Sequence, residues 1–122
     1  MKIILVALGG AIGAVLRYLI SLIPVKSDFP ILTLATNLIG AIIIGVVVEL
    51  LDEKENLPDW ISPFLKTGVC GGFTTFSTFS LEASVLFQSQ KYFLFALYSI
   101  LSFVLCFAGV FIGRYIVKSL IK

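Results

Sequence analysis

Four apolar stretches, each long enough for a membrane-spanning helix, make up most of the 122-residue chain. They cover approximately residues 3–23, 31–51, 60–87 and 92–117. A helix that crosses a hydrocarbon layer of roughly 30 Å needs about 20 mainly apolar residues, and each stretch supplies them. Helices are required because open strand edges cannot satisfy their backbone hydrogen-bonding groups in lipid. The sequence therefore predicts an all-α integral membrane protein with four transmembrane helices, in a single domain over residues 1–122.

The composition excludes most other classes of protein. Hydrophobic residues make up 59% of the chain and charged residues 13%, and the mean hydropathy is +1.10. Soluble domains have about 45–50% apolar and about 25% charged residues. With no histidine and two cysteines, the chain lacks the residues for a His-based metal site or a Ser-His-Asp arrangement. We therefore do not expect an enzyme, and a net charge of +2 does not indicate a nucleic-acid partner.

The basic residues bear on the orientation of the chain in the membrane. Four crossings place both termini on one side, where six of the nine lysines and arginines lie, against three on the opposite side. This bias favours cytoplasmic termini by the positive-inside rule, but it is small enough for a short chain to insert in both orientations. Arg17 and the length of the first stretch argue against a cleaved signal peptide. We expect a multi-pass protein of the cell membrane, surrounded by the lipid bilayer.

Small residues recur four positions apart in three of the stretches. Pairs such as Gly9 with Gly13 and Gly109 with Gly113 let helix backbones approach each other closely in lipid. Such ridges serve either packing within one bundle or contact with a second chain. Because four helices are little material for a transport path, we expect a dimer.

The third stretch contains a candidate helix break. Gly71-Gly72 followed by Thr74-Thr75 lies in mid-span and weakens a continuous helix by propensity alone. A break at this depth exposes backbone carbonyls, which is tolerated where they are buried or coordinate something. Hard cations such as Na⁺ favour oxygen ligands, so the break is a candidate cation site made of main chain. The alternative is a glycine notch for packing in an unbroken helix.

Polar residues are dense after this break. At about 100° per residue, Phe76 and Phe79 share an apolar face, whereas the other faces carry hydroxyls and one carboxylate. Hydroxyls that bond back to their own helix explain one or two such residues. The larger number found here indicates the lining of a polar path. The polar set comprises Thr74, Thr75, Ser77, Thr78, Ser80, Glu82 and Ser84.

Several polar side chains at membrane depth allow two interpretations each. Asn37 would seek a partner across a helix interface, either as a structural bridge or as a functional amide. Arg17 can extend its charge to the membrane surface. Glu82 would couple protons in a transporter and lie in a vestibule in a pore. Tyr98 and Ser102 can face either a polar path or the rest of the bundle.

Three segments resemble the Fluc (CrcB) family of fluoride channels. They are residues 71–79 (GGFTTFSTF), residues 9–18 (GGAIGAVLRY) and residues 33–40 (TLATNLIG). The segment in the third stretch is specific to the family, and the spans match the family in number, order and length.

The resemblance implies an antiparallel, dual-topology homodimer with two fluoride pores and one central Na⁺ that is structural and not transported. It assigns this Na⁺ to the backbone carbonyls of Gly71 and Thr74, and it assigns Arg17 to the pore mouth. The implied activity is passive export of fluoride from the cytoplasm, which protects the cell from fluoride toxicity. The residues assigned to the fluoride path are Asn37, Thr75, Phe76, Ser77, Thr78, Phe79, Glu82, Tyr98 and Ser102.

Other functions and partners stay open on the residues alone. A proton-coupled exporter of cationic compounds can have four helices and dual topology, but those exporters carry an essential acid in the first span, where this chain has Arg17. An accessory subunit without a pathway would not need polar stripes around Phe76 and Phe79. The six-to-three split of basic residues also leaves a homologous second subunit as an alternative to the homodimer.

Overall fold

A computed structural model describes residues 1–122, and every regular element in it is a helix. Three helices, α1, α2 and α5 below, are long and apolar enough to cross a membrane, which confirms the expected multi-pass, all-helical class. The elements in chain order are α1 (Lys2–Ser21), α2 (Ile31–Glu53), α3 (Pro63–Cys70 in π-helical form, continued as one α-helical turn by Gly71–Phe73), α4 (Phe76–Gln88) and α5 (Tyr92–Ile121).

The third predicted span consists of two half-helices, α3 and α4. Neither half has the about 20 residues that a crossing needs, so the two must be combined to span a bilayer. Thr74 (ψ 159°) and Thr75 (φ −151°, ψ 119°) between them have extended backbone. The chain is therefore broken where the glycine and threonine pattern predicts. The first half is helical from Ile61, close to the expected start near residue 60, and Pro63 lies in its first turn, where proline is favoured.

Helix α1 packs directly on α3, with backbone against backbone. A Cβ atom added to Gly13 would overlap the carbonyl oxygen of Val69 and lie 2.6 Å from the amide nitrogen of Phe73. Gly72 approaches α1 in the same way, because its Cβ position would overlap the carbonyl oxygen of Gly10. The ridge of small residues on α1 is therefore used within the chain, to hold the helix that carries the break.

A second close contact joins α2 and α5. A Cβ atom on Gly45 would overlap the carbonyl oxygen of Val110, and one on Gly113 would overlap the carbonyl oxygen of Ile42. The small residues of α2 and α5 thus pack against each other within one chain. These ridges explain the fold of the single chain and do not by themselves indicate a second copy.

The buried core is small and is centred on Tyr98. Only 17 of the 122 residues are buried, and Tyr98 is the one large side chain with no exposed surface. It packs with Leu34, Ala83 and Leu86 between α2, α4 and α5. Large apolar side chains elsewhere point outward, among them Leu120, which is 80% exposed. Outward apolar surface of this extent fits a protein that has lipid as its solvent.

An ionic cluster joins α2 to α5 at the end of the molecule that holds both termini. Arg114 Nε lies 2.8 Å from Glu49 Oε2, and Arg114 Nη2 lies 3.3 Å from Asp52 Oδ2. Lys118 Nζ lies 3.6 Å from the other oxygen of Glu49. Glu49 is buried, with a relative exposure of 4%, so its charge is compensated by two basic side chains.

Candidate functional site

The side-chain amide of Asn37 closes the gap that the helix break opens. Its Nδ2 donates to the carbonyl oxygen of Thr75 at 3.0 Å, and its Oδ1 accepts from the amide N–H of Thr75 at 2.8 Å. A residue of α2 thereby satisfies both backbone groups of a residue that has no helical partners. The amide nitrogen carries a second hydrogen, which stays available for another acceptor.

The carbonyls at the end of α3 fall into two groups. The carbonyl of Cys70 accepts from the N–H and the hydroxyl of Thr74, each at 3.0 Å. The carbonyl of Gly72 accepts from Arg17 Nε at 3.2 Å. The carbonyl oxygens of Gly71, Phe73 and Thr74 accept no hydrogen bond within the chain. The free oxygens of Gly71 and Thr74 are the two that the resemblance assigns to Na⁺.

Arg17 is directed at this break. The sequence allows its charge to reach the membrane surface, but in the structure its guanidinium binds the Gly72 carbonyl across 55 positions of chain. Its assignment to a pore mouth stays a prediction. The structure adds a role at the end of α3, where a cation is favoured by the unsatisfied carbonyls of the last turn.

Thr75 begins α4 as its N-cap. Its hydroxyl accepts from the amide N–H of Thr78 at 3.1 Å and donates to the hydroxyl of Thr78 at 3.1 Å. The hydroxyl of Ser77 lies 3.3 Å from that of Thr75. Three residues assigned to the fluoride path therefore cluster at one helix start, where N–H groups without helical partners favour negative charge.

A groove of about 640 Å³ runs along the break between α2, α3, α4 and α5. Its wall includes Asn37, Gly71, Thr74, Thr75 and Ser102. The groove is open to the outside of the chain, so the free carbonyls and the amide of Asn37 lie on a surface that a second molecule can cover.

Aromatic rings form a row from this groove into the core. Phe76 lines the groove and is 79% exposed, and its ring centroid lies 5.3 Å from that of Phe79. The ring of Phe79 lies 4.9 Å from that of the buried Tyr98. The two phenylalanines and the tyrosine of the predicted path are thus consecutive neighbours.

Glu82 receives a hydroxyl donor on each of its carboxylate oxygens. Thr33 donates to Oε1 and the phenol of Tyr98 donates to Oε2, both at 2.7 Å. Sequence analysis did not assign Thr33 to the path. The signal was present, because Thr33 lies one helical turn before Asn37 and so on the same face of α2. No basic side chain pairs with Glu82.

The remaining hydroxyls behave in two ways. Ser80 and Ser84 donate to the carbonyls of Phe76 and Leu81 in their own helix, which is the local bonding that sequence analysis held open for a few residues. Ser102 differs, because its hydroxyl oxygen is buried in the groove wall and has no partner in the chain. Of these three serines, only Ser102 keeps an unused hydrogen-bonding group in the groove that Asn37 also lines.

Comparison with known proteins gives a consistent set of relatives. The profile of the family described as "CrcB-like protein, Camphor Resistance (CrcB)" matches residues 4–114. A protein of Agrobacterium fabrum named "Fluoride-specific ion channel FluC" is 46% identical over 115 residues, covering 92% of each chain. A protein of the same name from Azobacteroides pseudotrichonymphae is 42% identical over 115 residues and 92% of each chain. A third, from Granulibacter bethesdensis, is 38% identical over 125 residues, covering all of this chain and 98% of the relative.

Proposed function

The chain belongs to the CrcB family, and from this premise we propose that it is a fluoride-selective channel that lets fluoride leave the cytoplasm passively across the cell membrane. The observation that carries the proposal is the family match over residues 4–114, because it includes the break, Asn37 and the row of aromatic rings. Relatives named fluoride-specific ion channels align with 92% or more of the chain. The activity is passage of an ion and not a chemical conversion.

The groove supplies what a small anion needs when it loses water. Fluoride is strongly hydrated, so its transfer requires hydrogen-bond donors in place of water. The second N–H of Asn37 and the unpartnered hydroxyl of Ser102 are two such donors. The edges of Phe76 and Phe79 add a weaker attraction, because the rim of an aromatic ring is electropositive. A path that is also too narrow for the larger chloride would select fluoride by size.

We assign a structural Na⁺ to the carbonyls of Gly71 and Thr74. Both oxygens are free of hydrogen bonds within the chain and both residues line the open groove. Hard cations take about six oxygen ligands, more than this chain offers at the break. The cation would hold the break in shape and make the local potential more favourable to an anion, without being transported.

The shortage of ligands supports a second copy as the partner. A two-fold axis through the groove would bring the same carbonyls of two chains around one cation, which closes the dimer as an isologous contact. An axis in the membrane plane makes the two chains antiparallel, and this requires insertion in both orientations. We propose this homodimer, with two pores, over a pair with a homologous second subunit, because one chain carries Asn37, both phenylalanines and the free carbonyls together.

Flux from purified protein tests the function. The protein is reconstituted in liposomes loaded with fluoride or chloride, and efflux is followed with ion-selective electrodes. We expect fast fluoride efflux with no chloride efflux. A folded sample that releases neither ion contradicts a homodimeric channel, and equal release of both contradicts selectivity.

Orientation is tested separately. A tag on the C-terminus should be labelled from both faces of the membrane in whole cells. A tag found on one face only would overturn the dual-topology homodimer and favour a second subunit of opposite orientation.

A further inference from the structure

We propose that Arg17 is a positioning residue of the cation site: by binding the carbonyl of Gly72 it fixes how the break presents its neighbouring carbonyls to the cation. The inference rests on the proposed function, since the cation is part of that proposal. It assigns Arg17 to the main chain of α3, in addition to any effect on the approach of anions.

The last turn of α3 needs an anchor because of its composition. Gly71 and Gly72 are consecutive, and glycine has the widest choice of backbone dihedral angles of any residue. The carbonyl of Cys70 before them is held by Thr74, whereas the carbonyl of Gly72 has Arg17 as its one partner. The Gly71 carbonyl belongs to the peptide unit directly before it, and the two planar units share the Gly72 Cα atom, so holding the Gly72 oxygen also limits the orientation of the Gly71 carbonyl.

Helix α1 gives Arg17 a rigid base from which to hold this carbonyl. Arg17 lies one turn after Gly13 on the same face of α1. That face is in backbone contact with α3, because a Cβ on Gly13 would overlap the carbonyl oxygen of Val69. The hydrogen bond from Nε to Gly72 is 3.2 Å long, partly buried and made by a charged donor, which is a stronger kind than a neutral pair.

Two variants separate this hydrogen bond from the charge of the side chain. In Arg17→Gln the amide nitrogen is as many bonds from the backbone as Nε, so a neutral donor remains in reach of Gly72. In Arg17→Met the side chain is also neutral and of similar length, but it has no donor. Any difference between the two variants therefore reports the bond and not the charge. Lys26→Gln is the matched control, because Lys26 is exposed and makes no ion pair.

The unfolding temperature of the purified protein is measured as a function of Na⁺ concentration, with N-methylglucamine keeping the ionic strength constant. The readout is the half-effect concentration, at which half of the full Na⁺-dependent rise in unfolding temperature is reached. A purely structural residue would lower the unfolding temperature equally at all Na⁺ concentrations. We expect the half-effect concentration to be at least about threefold higher in Arg17→Met than in Arg17→Gln, the scale of one net hydrogen bond. Lys26→Gln should match the wild type.

Two results would overturn the inference, and they are distinguishable. In the first, the wild type depends on Na⁺ but Arg17→Met and Arg17→Gln have equal half-effect concentrations. The hydrogen bond then does not position the cation site, and the proposal of the cation itself stands. A wild type with no Na⁺ dependence removes the cation site itself and the inference with it. If Arg17→Met does not fold, the comparison is made with Arg17→Leu, which also lacks a donor.

Discussion

Two glutamates within the predicted spans have opposite surroundings. The charge of Glu49 in α2 is compensated by Arg114 and Lys118 of α5, and every charged side chain in this cluster has a partner of opposite charge. Glu82 in α4 is held by the hydroxyls of Thr33 and Tyr98, and no cation neutralises it. An intramembrane carboxylate normally requires such a cation, because an uncompensated charge is costly in low dielectric.

The difference separates structure from function in this fold. Around Glu49 every charge has a partner, so the cluster can do little except hold α2 to α5. In the groove along the helix break, by contrast, polar groups remain incomplete: the Ser102 hydroxyl, one N–H of Asn37 and the carbonyls of Gly71 and Thr74. Incomplete groups at depth are tolerated where something else binds them. We therefore expect substitutions in the groove to change flux, and substitutions in the cluster to change stability.

The largest expected effect follows from Asn37→Ala in the groove. It removes both hydrogen bonds to Thr75 and the free N–H, so fluoride efflux from liposomes should fall at least about 100-fold, toward the rate of empty vesicles. Efflux at the wild-type rate would show that the path does not use this amide. Leu38→Ala, on the neighbouring position of α2, is the control for general disturbance of the helix and should conduct.

Phe76→Ile should have the next largest effect. The substitution removes the ring edge from the groove while keeping an apolar side chain, so fluoride efflux should fall at least about tenfold. The stability of the single chain should change little, because Phe76 is 79% exposed. Phe93→Ile is the matched control, since Phe93 is 77% exposed and lies outside the groove. Equal efflux from the two variants would refute a role for the Phe76 ring.

Glu49→Gln should act on stability and leave the path intact. The change leaves Arg114 and Lys118 without their buried partner. Because both basic side chains are partly exposed, the expected loss is about 1–3 kcal/mol of unfolding free energy, below the range for a fully buried pair. Denaturant titration in detergent measures it, with the exposed Glu53→Gln as control. A loss of fluoride efflux from a folded Glu49→Gln sample would contradict a purely structural role for Glu49.

Glu82→Gln should have the smallest effect and decides between two mechanisms. The amide oxygen can still accept from one of the two hydroxyls, so passive fluoride efflux should persist within about threefold of the wild type. A proton-coupled exporter would lose its activity, because the titrating carboxylate is gone. Efflux is compared with and without an imposed pH gradient. Complete loss in the variant, together with gradient dependence in the wild type, would favour coupled transport.

The sequence predicts some features of the site fully and others only in part. The break at Thr74 and Thr75 follows from glycine and threonine propensities, and these act locally. The partner of Asn37 was expected across a helix interface, but its identity was not, because Thr75 is 38 positions away. The π-helical form of α3 was not predicted, and α5 extends to Ile121, beyond its expected end near residue 117.

The sequence by itself determined the all-helical membrane class and the position of the helix break. Hydropathy and propensity depend on residues within one or two turns, so they can be read along the chain. Only the tertiary structure decided that Arg17 binds Gly72, that Thr33 joins Tyr98 on Glu82, and that the glycine ridges pack within one chain. The contacts of Arg17 and Thr33 join residues 55 and 49 positions apart. They exist because close helix packing brings distant backbones together, a cause that no local pattern contains.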